Sequence, residues 1–147
     1  EDFISRYGVP QTPEQLIALP AVIYGNGDVS LDQIKISEQA HSDIQKTFKM
    51  RGNYKVSDVR AMMEAVQAGL GYTLIDLFNL EKPIKEMGLV ALLTDYKLSN
   101  MDTAIYALYP HRKQTLLVSE FIKTVQNYIG EPAFWVEHIP NYKQLYK

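Results

Sequence analysis

Apolar positions recur along this chain at two periods, and each predicts a different backbone. The helical period is clearest at Val59, Met62, Met63, Val66 and Leu70, which would share one helix face. Ser57 stands where the N-cap of that helix belongs, and Asp58 complements the positive end of its dipole. Gly69 and Gly71 mark its end. A second long helix is expected over 115–129, where Leu117, Phe121, Val125 and Ile129 form a stripe and Gly130 is the stop. Shorter helices are expected over 1–8, with Phe3, Ile4 and Tyr7 inward, and from Thr12 to Pro20. In the latter Thr12 is the N-cap, Pro13 takes the first helical position and Gln15 the capping-box position. Residues 78–87 read as a further helix, interrupted by Pro83 and stopped at Gly88.

The strand signals lie between these. Ala21–Tyr24 is a short apolar run, followed at Gly25–Asp28 by the densest turn signal in the chain. Residues 29–37 alternate around Leu31, Ile34 and Ile36, and 38–43 read as a polar loop. Two strand-like pieces, 44–50 and 53–56, are broken at Arg51-Gly52. Tyr72–Leu77 is apolar enough for a strand buried on both faces. Residues 89–93 and 103–109 are further strands around a polar loop at 94–101, the last of them broken at Pro110. A helix, a glycine stop and an apolar strand in succession predict an α/β architecture. The tail, 131–147, is rich in aromatic rings and is expected to pack on something rather than hang free.

Composition narrows the function. The 147 residues suit about one domain and are 46% hydrophobic and 22% charged, enough apolar surface to offset the ordering entropy of folding. The net charge is −2, from 17 acids and 15 bases, and the arginines form no stripe, which argues against a nucleic-acid-binding face. With no cysteine, a disulfide scaffold, a thiolate metal site and a cysteine nucleophile are all excluded. No apolar run approaches the roughly 18 residues of a membrane span.

Catalytic and cofactor motifs are missing. His41, His111 and His138 lie far apart with no ligand spacing, so no metal site is expected. There is no nucleophile elbow, and Gly25-x-Gly27 lacks the further glycine and lysine of a phosphate loop. That loop is either a tight turn or a flexible edge where backbone N–H groups approach a ligand. The helix start at Ser57-Asp58 could hold a polar group, although Asp58 opposes an anion and favours a neutral, polar or cationic ligand. The methionines read as core filling.

Four segments carry a family resemblance. Val56–Ile75, a small polar residue and an acid, then a helix ending Ala68-Gly69-Leu70-Gly71, then an apolar strand, resembles the effector-binding domain of LysR-type transcriptional regulators. Tyr7–Leu16 is similar to that family's Gly-x-Pro-x-Thr-Pro-x-x-Leu segment. Met87–Tyr96 resembles its Gly-x-Leu-Val-x-Leu-Leu stretch, and Ile105–Arg112 with Phe121-Ile122 its closing strand and last helix. The resemblance implies a periplasmic-binding-protein-like (type 2) fold with a ligand cleft between two α/β lobes. Residues 1–109 would be lobe two, lacking its N-terminal edge. Residues 110–147 would return to lobe one as helix and tail. Ligand contacts would come from Tyr24, Gly25, Asn26 and Gly27, from Ser57 and Asp58, and from Thr73.

The same resemblance implies a small-molecule effector, self-association to a dimer or tetramer, no catalysis or cofactor, and a cytoplasmic protein without membrane contact. DNA would be bound only through a helix-turn-helix domain absent from this chain, which starts as if inside a helix. Asp76 stands where the family often has proline, and the loop lacks the basic or bulky residues of aromatic-acid sensors, so a muconate-like ligand is not expected. Two other classes stay open: a solute-binding protein fragment of the same fold, and a small α/β enzyme using Asp58 or Asp76 with a histidine.

Overall fold

The apolar run at Ala21 becomes the centre of strand β1 (Pro20–Asn26), where Ala21 and Val22 have no solvent exposure at all. The structure, a computed structural model, describes residues 2–37, 45–98, 105–109 and 114–142. Among them the chain is mixed α/β. Helices α1 (Asp2–Tyr7) and α2 (Pro13–Ile17) precede β1. Strands β2 (Val29–Leu31), β3 (Gln33–Ser37), β4 (Gln45–Lys49) and β5 (Arg51–Val56) follow it. Then come α3 (Val59–Gln67), the two-residue strand β6 (Lys97–Leu98) and α4 (Leu116–Ile129).

The strands make two three-stranded sheets, ordered β2-β1-β5 and β4-β3-β6. β1 and β5 are parallel, with Tyr24 opposite Val56. β1 and β2 form an antiparallel hairpin turning through Gly27 and Asp28, and Gly27 supplies the positive φ (56°) that such a turn requires. Beside β2, on the edge away from β5, Tyr72 adds a further parallel bridge to Ala21. The Val22 N–H donates to the Tyr72 carbonyl at 2.8 Å, and the Tyr72 N–H donates to the Pro20 carbonyl at 3.1 Å. Gly71 permits that approach: a Cβ there would lie 2.8 Å from the Pro20 oxygen and 3.0 Å from the Ala21 backbone.

The alternation of β1 separates two packing layers. Ala21 and Ile23 join Phe3, Leu16, Ile34, Ile36, Met50, Tyr72 and Leu93 in the largest buried cluster. Val22, on the opposite face, packs with Met62 and Ala65 of α3. Met63, on the other side of α3, meets Leu80 and Ile139. The tail therefore packs: Ile139 is buried, and the His138 carbonyl accepts from the Ile84 N–H at 2.9 Å.

Several sequence expectations need correction. The N-cap of α3 is Asp58, whose side chain accepts from the Ala61 N–H, and Ser57 stands one residue outside the helix. Tyr7 is 46% exposed rather than inward, its ring resting on Phe3. Residues 29–37 are two strands in different sheets, separated at Asp32. The break expected at Arg51-Gly52 falls at Met50, so both residues belong to β5. Of Tyr72–Leu77, Tyr72 alone bridges to a strand; Ile75 and Leu77 turn toward the α3-side clusters instead. Residues 78–87 hold turns, and Leu77–Asn79 forms one 3-10 turn. Residues 89–93 are irregular, and the strand pairing with β3 lies at Lys97–Leu98, inside the expected loop. Residues 105–109 carry no regular secondary structure and pair with no strand among the described residues; the start of that expected strand and the loop at 38–43 lie outside the described residues.

Other expectations are borne out. Thr12 caps α2 by accepting from the Gln15 N–H, while the Gln15 side chain reaches back to the N–H of Gln11, one residue beyond the standard box. α4 runs from its Thr115 cap to Gly130, yet buries none of its side chains. Leu117 is 81% and Phe121 68% exposed, so the predicted apolar stripe exists and stands largely bare, with Ile129 at its end half-buried.

Gly71→Ala should lower stability by about 1–3 kcal/mol, because its Cβ meets backbone that is locked into β1 and cannot yield. Urea unfolding checks this, and an unchanged midpoint would show that Gly71 does not hold Tyr72 against β1.

Candidate functional site

The parallel register decides which residues meet. Because Tyr24 lies opposite Val56, the segment after β1 and the segment after β5 emerge at the same end of the pair. The end of β1 with the turn after it carries Gly25, Asn26 and Gly27, and the segment after β5 carries Ser57 and Asp58. In α/β folds ligands bind outside the carboxyl ends of parallel strands, where loops diverge and helix N-termini point outward. The Tyr24 side chain is half-buried and packs with Val56 and Val59 against the cluster under α3. Asn26, Gly27, Ser57 and Asp58 are exposed around it.

The model of the LysR substrate binding domain matches residues 2–129, from α1 to the end of α4. The chain belongs to the LysR substrate-binding domain family. It is also similar to an uncharacterized HTH-type transcriptional regulator of Haemophilus influenzae (strain ATCC 51907 / DSM 11121 / KW20 / Rd). The two are 24% identical over 112 residues, covering 76% of this chain and 37% of the relative. The chain thus spans a little over a third of that relative's length.

Within this LysR substrate-binding domain, six of the seven candidate residues stand together at the strand ends, and Thr73 stands apart. It follows Tyr72, which bridges Ala21, and so lies level with the middle of β1. Its hydroxyl donates to the Met62 sulfur at 3.3 Å, beneath α3. Asp58 spends one carboxylate oxygen on the Ala61 N–H at 2.9 Å, which fixes it as a structural cap facing the site.

Sequence reasoning missed one residue. The end of the Lys55 side chain lies across Gly25, where a Cβ would push it aside. Gly25 thus leaves room for Lys55 over the strand end. A cation thus joins Asp58 at this edge, placed there by the pairing of Lys55 with Ile23, which only the fold reveals. Among the described residues no group of three or more His, Asp or Glu is placed to hold a metal. No described helix is long and apolar enough to cross a membrane. His41 and His111 lie outside the described residues, and His138 packs on Phe134 in the tail, on a different element from the strand ends.

The cap assignment is directly testable. Asp58→Ala should cost about 1 kcal/mol of stability, Asp58→Asn much less, and Ser57→Ala close to nothing. Thermal denaturation of the three variants checks this, and a Ser57→Ala loss matching that of Asp58→Ala would return the cap to Ser57.

Proposed function

We propose that this LysR substrate-binding domain is the effector sensor of a transcriptional regulator. The observation that carries the reading is the Tyr24–Val56 register, which sets the Gly25–Asp28 turn beside the start of α3. Tyr24, Gly25, Asn26, Gly27, Ser57 and Asp58 form one wall of the effector site, and Thr73 supports it from beneath α3. Lys55 and Asp58 at one edge suit a small polar molecule. Residues 1–109 act as one lobe of a periplasmic-binding-protein-like (type 2) fold. Residues 110–147 return toward the other lobe, and the bare face of α4 supports this, since an amphipathic helix normally buries its stripe, whereas the tail beyond it packs back on residues 1–109 through Ile139.

The effector binds between the lobes and favours one closure state by its differential affinity. The closure is passed to a dimer or tetramer held on DNA by a helix-turn-helix outside these 147 residues. The domain itself performs no catalysis and works in the cytoplasm. The likeness to an HTH-type regulator over 37% of that relative's length supports this division of labour.

The test uses the complete gene product on its own upstream DNA, footprinted with and without pools of small polar metabolites. At least one pool should alter the protected pattern, and Ser57→Trp, which crowds the site, should abolish that response while leaving DNA protection intact. No protection of any upstream DNA would contradict the regulator reading. A response that survives Ser57→Trp would move the effector away from this edge.

A further inference from the structure

A cavity of about 730 Å³ lies between the largest buried cluster and the segment 74–93, with the tail on its far side. Packed interiors hold few voids larger than a water molecule, whereas small-molecule pockets run from roughly 300 to 1,000 Å³. The volume is thus that of a binding site rather than a packing defect.

The void adjoins the strand ends without including their polar residues. Tyr24, Ser57 and Asp58 do not line it, but Leu31, Thr73 and Ile75 do. Leu31 stands directly opposite Tyr24 in the β1–β2 hairpin, so the two side chains project from the same face of the sheet. Ile75 packs on the Val22 cluster, as Tyr24 does. Leu31 is 47% exposed, so this end of the void is reached from the hairpin side. A molecule whose polar end lies among Asn26, Ser57 and Asp58 therefore has room to extend past Tyr24 and Leu31 into the void.

The wall decides what enters. Apart from its glycines, the described wall is aliphatic and aromatic except at Thr73 and Asp76. Thr73 spends its hydroxyl on the Met62 sulfur at 3.3 Å, and Asp76 is engaged in a contact of its own. The Tyr72 hydroxyl is shut off from any surface and offers a ligand nothing. A polar group carried into the void would lose its water without gaining a protein partner. An apolar group gains, at about fourfold in affinity for each methylene buried.

We infer that the effector is amphipathic, its polar end held at the strand ends and its apolar body in this cavity, with Leu31 at the junction. The inference rests on the effector-site reading above and adds the chemical class of the molecule.

The probes are butanamide, hexanamide and octanamide, which share one uncharged polar head and differ in apolar length. They are titrated into the complete gene product and followed by ligand-observed NMR. All three should compete for one saturable site per chain, each step of two methylenes tightening binding by about tenfold. Ala91→Trp, which fills the cavity, should remove that gain and leave butanamide unchanged, with circular dichroism confirming the fold. Leu31→Asn, at a half-exposed position, should weaken octanamide by at least about fivefold. Ser57→Trp should weaken all three, and Phe121→Glu, on the bare face of α4, none. Affinity that does not rise with length, or a rise that survives Ala91→Trp, would overturn the inference. So would octanamide binding untouched by Ser57→Trp, which detaches the cavity from the strand ends, or binding lost in Phe121→Glu, which places the amides on the exposed helix. A flat length series in a protein whose DNA footprint still responds to metabolites contradicts this inference alone. Absence of any DNA protection beside an intact length series contradicts the regulator reading alone.

Discussion

The backbone hydrogen bonds on the two sides of β1 are the constraint on which the rest depends. Ala21 and Val22 are wholly buried, so every N–H and C=O along this stretch must find a partner inside the protein. β5 supplies one side in parallel register, and Tyr72 with the hairpin strand β2 supplies the other. Gly71 is the residue that lets the second side come close enough. Once β1 is clamped, its alternating side chains fix both layers: Ala21 and Ile23 toward α1, α2 and β3, Val22 toward α3.

The site at the strand ends follows from the same clamp. Tyr24 and Val56 are level only because β5 pairs in register from Pro20 onward, absorbing one irregularity between Ala21 and Val22. A parallel strand shifted by one residue would turn every side chain to the other face and move the start of α3 away from the β1 turn. The LysR substrate-binding match, over residues 2–129, includes β1, β5 and α3.

Much of this was legible in the residues, and unevenly so. α3 declared itself because a helix period, an acid at its start and a glycine at its end all agree. The cap itself was misread by one residue, since Ser57 and Asp58 are both good caps and only geometry shows which side chain reaches the Ala61 N–H. Six candidate residues at the strand ends were reached through the family resemblance, and the register explains why they meet. Tyr72–Leu77 went wrong for a different reason: an apolar run reports burial, not backbone state. Beyond Tyr72 that burial is met by contacts with Met63 and Leu80 instead of by strand pairing. Lys55 was beyond reach, because its place depends on which glycine its side chain crosses in the folded register.

The most direct test of the account is a disulfide across the β1–β5 pair. The chain has no cysteine, so two introduced thiols have only each other. Tyr24→Cys with Val56→Cys places the Cα atoms about 4.8 Å apart across neighbouring strands, within the range a disulfide spans. Tyr24→Cys with Arg51→Cys sets them more than about 10 Å apart, since Arg51 lies opposite Pro20. Mild oxidation should close the first pair within one chain and leave the second reduced. Closure of the second pair, or failure of the first in a folded chain, would contradict the register and with it the placement of the site.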